Sequence, residues 1–153
     1  MKIQQVTIDL LDELVPLFEA YRVWYNKPTN ELKTRQFLTE RILKRESIIF
    51  LIYTEGGVPA GFTQLYPVYS SVRLGRLWLL NDLFVSETER GKGFSIALIE
   101  RAKDMARKTG AVGVVLETDK TNDVGNKLYP KMGFDLHNKT QNFYGWDNPD
   151  FHI

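Results

Sequence analysis

The chain has 153 residues, 43% hydrophobic and 25% charged, the proportions of one globular domain with a single sizeable core. With 20 basic and 19 acidic side chains the formal net charge is +1, so nothing chain-wide argues for nucleic acid or an anionic membrane as partner. The lack of cysteine excludes disulfides, thiolate metal sites and a cysteine nucleophile, and fits a reducing cytoplasm.

No apolar run approaches the roughly 18 residues of a membrane span. Gln4, Gln5, Thr7 and Asp9 interrupt the place where a signal peptide needs its apolar stretch. Residues 2–8 alternate like a strand. Asp9 is a candidate cap for a helix to about Tyr25, with Leu10, Leu14, Leu17, Phe18 and Tyr21 on one face and Pro16 either in its first turn or kinking it. After a loop at residues 27–30, Thr29 or Asn30 can cap a second helix whose apolar side holds Phe37, Leu38 and Ile42, with Leu32 a further candidate.

Residues 47–54 read as a buried strand, and Gly56-Gly57 as the turn of a hairpin into a strand over residues 58–69. A turn near Ser70 and Ser71 leads to a long strand over residues 73–85. A helix then runs from about Gly93 to Thr109, burying Phe94, Ala97, Leu98, Ala102, Met105 and Ala106, and Gly110 ends it. Residues 111–118 form a strand parallel to the preceding one by right-handed crossover. Thr121 or Asn122 caps a shorter helix to about Met132, stopped by Gly133, and residues 134–146 add one or two strands. The order predicts an α/β fold with a mixed central sheet of about six to seven strands and helices on both faces. Asn138-Lys139-Thr140 matches a glycosylation sequon, a chance match in a cytoplasmic protein.

The segment Arg90-Gly91-Lys92-Gly93-Phe94-Ser95 joins a strand to a helix. Glycines there let the backbone approach a ligand closely, and the first turn of the helix offers free N–H groups that can hold a phosphate. A short Gly-x-Gly alone is also compatible with a turn that binds nothing. A P-loop is absent, and a dinucleotide fingerprint lacks its third glycine, since Phe94, Ser95 and Ile96 follow Gly93.

The segment resembles motif A of the GNAT superfamily of N-acetyltransferases, [QR]-x-x-G-x-[GA], with Ser95 in place of the usual last Gly or Ala. Downstream, Asn122, Leu128, Tyr129, Lys131, Gly133 and Phe134 match the family's motif B, N-x-x-A-x-x-L-Y-x-K-x-G-F, with Gly125 standing for Ala. Together the motifs identify one GNAT domain over residues 1–153. The resemblance implies the GNAT fold and acetyl-CoA as acyl donor. The pyrophosphate would lie on Arg90, Gly91, Lys92, Gly93, Phe94 and Ser95, and the pantetheine arm along Leu83, Phe84 and Val85, with Asn122 and Lys131 also at the cofactor. The sheet is expected to splay beside this strand, and an N–H near Phe84 or Val85 to face the thioester oxygen.

The resemblance makes Tyr129 the acid for the leaving thiolate, against a reading in which it only packs or bonds the sulfur. In the diamine-acetylating branch an acidic pair precedes Phe-Phe-Val. Here Asn81 takes the first acidic position and Asp82 remains as candidate base. Strand alternation places the two on opposite faces. Asp82 either faces the acceptor or binds a neighbouring backbone group. Residues 61–67 are also similar to a microbial branch that includes fungal histone- and D-amino-acid-acetylating members.

The acceptor end is expected to include Tyr21, Arg22, Trp24, Tyr25, Gln64, Tyr66, Tyr69, Trp78 and Asn81, with Phe143, Tyr144 and Trp146 from the last strand. Aromatics beside carboxylates suit a cationic amine. Arg22 could instead pair with an acceptor carboxylate, which favours an amino acid over a polyamine. His137 and His152 are isolated, and no group has metal-ligand spacing. The leading expectation is a cytoplasmic, homodimeric acetyl-CoA-dependent N-acetyltransferase for a small primary amine. A protein lysine or N-terminus as acceptor and a non-catalytic acyl-CoA sensor stand as alternatives.

Overall fold

The computed structural model describes residues 1–137 and 141–153. The sequon therefore lies outside the described residues. The chain divides into two compact units, Met1–Glu117 and Thr118–Ile153.

The first unit is built on a five-stranded sheet in chain order: β1 (Lys2–Gln5), β2 (Ile48–Tyr53), β3 (Pro59–Ser70), β4 (Gly75–Val85) and β5 (Gly113–Val115). β1 to β4 run antiparallel, and β5 pairs parallel with β4, so the sheet is mixed as the element order predicts. Helices α1 (Leu11–Trp24) and α2 (Glu31–Leu43) precede β2, and α3 (Phe94–Lys108) makes the crossover from β4 to β5.

Side-chain alternation splits the core between the two faces. Leu14, Val15, Leu17 and Phe18 of α1 and Leu38 of α2 pack with Ile49, Leu51, Tyr53, Phe62 and Phe84. Phe50 points the other way, under the Arg101 guanidinium of α3 at 5.0 Å.

The start of α1 departs from expectation. A 3₁₀ turn over Ile8–Leu10 comes first, and Asp9 bonds the Thr7 hydroxyl instead of capping the helix. Pro16 lies inside α1 on its exposed side. The Asp12 carbonyl that loses its partner there belongs to an exposed residue, where water can replace the missing N–H. For α2 the cap is Asn30, whose Oδ1 accepts from the Lys33 N–H at 3.1 Å.

In the second unit Asn122 caps α4 (Asp123–Lys131), accepting from the Gly125 N–H at 3.1 Å. Gly133 leaves the helix at φ 90°, and the Phe134 N–H bonds back to the Tyr129 carbonyl at 3.0 Å. Where one or two closing strands are expected over residues 134–146, the described residues carry none.

Candidate active site

The β3–β4 ladder contains the irregularity on which the site turns. Gln64 stands opposite Asp82 and Leu65 opposite Leu80, so Asn81 is an extra residue on β4. This β-bulge breaks the period of two. Asn81 and Asp82, expected on opposite faces, are hydrogen-bonded through their side chains, Nδ2 to Oδ1, at 3.1 Å. The bulge also exchanges faces along the strand. Phe84 packs in the α1 core, whereas the Trp78 indole N–H bonds Thr109 at the end of α3, at 2.9 Å.

Asp82 is 6% exposed and lies at the centre of a polar cluster. Its Oδ2 accepts from Gln64 Nε2 at 2.8 Å, and its backbone carbonyl accepts from the Thr63 hydroxyl at 2.8 Å. Tyr21 of α1 lies close to both Asp82 and Tyr25. The Tyr21 ring stands edge-on to Phe62 and Phe84, at 5.6 and 5.9 Å between centroids. Burial first, then the Asp82 charge, pushes the Tyr21 phenol far above its ordinary value, so it remains a neutral donor. Tyr66 is pushed up to about 12, again by burial and then by Asp82. The carboxylate's side-chain hydrogen-bond partners, Gln64 and Asn81, are both uncharged. A cation brought to this cluster would meet a buried carboxylate whose side-chain partners carry no positive charge.

Of the other residues expected at the acceptor end, Arg22, Tyr69 and Trp78 are engaged elsewhere. Gln64 is in the cluster but 0% exposed, with both ends of its amide engaged inside the protein. Arg22 pairs with Glu19 at 3.5 Å and donates to the Pro28 carbonyl at 3.0 Å, tying α1 to the loop before α2. Tyr69 and Trp78 flank the Arg76 guanidinium. Tyr25 and Trp24 are exposed, and the Tyr25 ring lies 5.1 Å from that of Tyr21.

At the other end of β4, β5 pairs only with Leu77, Trp78 and Leu79. Over residues 80–85 the β5 side of β4 has no strand partner among the described residues.

The turn that follows has Gly91 at φ 76° and Gly93 at φ 87°, left-handed conformations that disfavour any side chain. Space is not the constraint there. A Cβ on Gly91 would meet nothing within 4 Å, and one on Gly93 only the Met1 methyl at 3.8 Å. Gly93 is the N-cap of α3 and no side chain caps this helix. The N–H groups of its first turn thus have no side-chain cap, and the helix dipole lies behind them. Ser95 is the second residue of α3, an ordinary helical position, so a serine in place of glycine or alanine does not disturb the turn.

The two cations of the turn already have protein partners. Arg90 Nε donates to the Val85 carbonyl at 3.0 Å, and its guanidinium lies over the rings of Trp24 and Phe84, at 4.5 and 5.6 Å. Lys92 pairs with Glu89 at 2.9 Å. What the turn offers an anion is mainly backbone N–H groups.

In the second unit the Asn122 amide is used at both ends, its Nδ2 donating to Thr118 Oγ1 at 2.8 Å. Tyr129 packs edge-on to Phe134 at 6.0 Å, and Lys131 lies in the last turn of α4. At Gly125, where the motif prefers alanine, a side chain would have to displace the capping Asn122. A Cβ there would lie 2.5 Å from Asn122 Nδ2 and 3.1 Å from Tyr129 Cε2.

A family model described as acetyltransferase (GNAT) family matches residues 11–134. The uncharacterized N-acetyltransferase YhfO of Bacillus subtilis is 38% identical over 135 residues, covering 88% of this chain and 90% of that protein. A probable acetyltransferase of Haemophilus influenzae is 37% identical over 126 residues, 79% of this chain and 86% of its own length. The crystal structure of a probable acetyltransferase superposes with a TM-score of 0.92 at 36% identity, covering 98% of this chain and 100% of that one.

Proposed function

The chain belongs to the acetyltransferase (GNAT) family and is an acetyltransferase, and on that premise we propose that it transfers an acetyl group from acetyl-CoA to the primary amine of a small cationic molecule. A polyamine or an amino acid is the acceptor class. The observation that carries this reading is the buried Asp82 carboxylate, whose side-chain hydrogen-bond partners are neutral, with the exposed Tyr25 packed on the neighbouring Tyr21. Such a cluster favours an ammonium ion by charge and by cation–π contact.

Acetyl-CoA supplies the activated acyl thioester. The first-turn N–H groups of α3 and those of Gly91 and Gly93 suit its pyrophosphate, and the unpaired edge of β4 suits an extended arm that adds to a sheet. An ammonium near the cluster must lose a proton before it can attack, because a primary amine titrates near 10. Asp82 takes that proton, while Tyr21 beside it stays neutral. The neutral amine then attacks the thioester directly; without cysteine there is no thiol on the chain to carry the acetyl group. Tyr129, assigned by its place in the second motif, protonates the leaving thiolate.

The family match runs through residues 11–134, across the boundary between the two units, which supports one acetyltransferase domain over residues 1–153. We read the protein as cytoplasmic from its lack of cysteine, and as a homodimer from the exposed Phe143, Tyr144 and Trp146.

Steady-state acetylation across polyamines, amino acids and lysine peptides tests the reading. Turnover of a small amine is the expected result. A preference for peptides by orders of magnitude would replace the acceptor class, and coenzyme A binding with no turnover would replace catalysis by sensing. Tyr129→Phe is expected to lower kcat about 10- to 100-fold with coenzyme A affinity unchanged.

A further inference from the structure

We propose that Ser47 and Gln64 form a positioning relay for Asp82, two residues that touch neither substrate but orient the carboxylate that receives the amine's proton. The proposal rests on the acetyl-transfer reading above. Gln64 lies on β3 opposite Asp82 and is 0% exposed. Its Nε2 donates to Asp82 Oδ2 at 2.8 Å, and its Oε1 accepts from Ser47 Oγ at 2.8 Å. Ser47 immediately precedes β2 and is half-buried.

The chemistry of these groups makes the order directional. A buried primary amide can sit either way round in the same volume, and only its partners decide which end faces where. With Oε1 turned toward Asp82, two acceptors would face each other inside the protein, each without a proton to share. A hydroxyl can donate as well as accept, so the far end alone does not forbid that flip. The carboxylate demands the NH₂ end, and Ser47 then donates to the remaining oxygen. Removing the Ser47 hydroxyl leaves Oε1 buried and unsatisfied, so the amide is held at one end only and its grip on Asp82 loosens.

The bulge explains why the position needs this support. Asn81 is the extra residue on β4, and the ladder on either side of it is out of step. A carboxylate next to a bulge is held less firmly by its own backbone than one within a regular ladder. Asn81 holds Oδ1 from the exposed side, while Gln64 holds Oδ2 from within. The relay thereby leaves a defined edge of the carboxylate for the acceptor, the geometric condition for proton transfer.

The test is a double-mutant cycle read as kinetics. Ser47→Ala is expected to lower kcat about tenfold and Gln64→Leu about 100-fold, each with the KM for acetyl-CoA unchanged. The double variant is expected to match Gln64→Leu alone, because Ser47 acts only through Gln64. Ser47→Thr keeps the hydroxyl and is expected to restore the rate. A second readout needs no turnover and no Gln64→Leu protein: the Gln64 side-chain amide, followed by nitrogen-15 NMR, is expected to exchange slowly in the wild type and fast in Ser47→Ala. Additive losses, a wild-type rate in Ser47→Ala, or an unchanged amide signal would overturn the relay while acetyl transfer stands. A wild type that acetylates no amine of the panel would overturn acetyl transfer itself and the relay with it.

Discussion

The bulge within β4 and the turn beyond its C-terminal end are built by opposite means. The turn at Gly91 and Gly93 presents backbone N–H groups to an anion, and its own cations, Arg90 and Lys92, are tied to protein partners. At the bulge, a buried side-chain carboxylate presents charge to a cation, and its side-chain hydrogen-bond partners are neutral. The first site is made by local backbone conformation within a short segment. The second collects side chains from α1, β3 and β4, with Ser47 behind them. A backbone site is broken by a change of conformation, and a side-chain site by a change of chemistry.

The largest expected effect breaks the bulge site alone. Asp82→Asn keeps the shape but removes the proton acceptor, and is expected to lower kcat/KM for the amine about 100- to 10 000-fold. Calorimetry should find coenzyme A affinity unchanged. A parallel loss of coenzyme A binding would show that the two sites are not separate.

Gly93→Ala should do the reverse. Its φ of 87° costs an alanine about 1–2 kcal/mol, and relaxation of the turn would carry the N–H groups out of alignment. Coenzyme A affinity is expected to fall about tenfold or more, with acceptor selectivity across the amine panel preserved.

A third measurement concerns the bulge site through pH. The folded-state values of Tyr21 and Tyr66 are raised by burial and by Asp82, above the value near 10 of an unfolded tyrosine. The unfolded chain thus gives up these protons first, and stability is complete below pH 10 and declines as pH rises toward about 12. Tyr53, pushed up to about 12 by burial and by its bond to Glu13, adds to the same decline. Urea denaturation across this range should show it, and Tyr21→Phe should flatten the slope. Equal slopes in both proteins would mean that Tyr21 is not held neutral by the cluster.

The smallest effect is expected from Arg90→Lys. The lysine loses the planar contact with Trp24 and the bond to the Val85 carbonyl, which are together worth about 1 kcal/mol at an exposed site. Coenzyme A affinity should fall less than in Gly93→Ala. A larger fall would mean that Arg90 holds the anion by its own charge.

Legibility in the sequence follows the same division. Gly91 and Gly93 could be read as a phosphate turn because a left-handed backbone leaves a glycine signature that is local in the chain. Asn30 and Asn122 could be read as caps because a cap is satisfied within three residues. The bulge at Asn81 left no such mark, since an extra residue is defined only against its partner strand. The occupation of Arg22 by Glu19 and Pro28, and the crowding at Gly125, likewise depend on what folds against them.

By itself the sequence determined the family, the order of the main elements and the glycine turn before α3. Each of these rests on periodicity, capping or backbone freedom that neighbouring residues set among themselves. Only the tertiary structure decided that Asn81 and Asp82 share a side, that Gln64 lies beneath the site and that Ser47 belongs to it. Those facts depend on the register of β3 against β4 and on the burial of polar groups, which exist only once distant segments are paired.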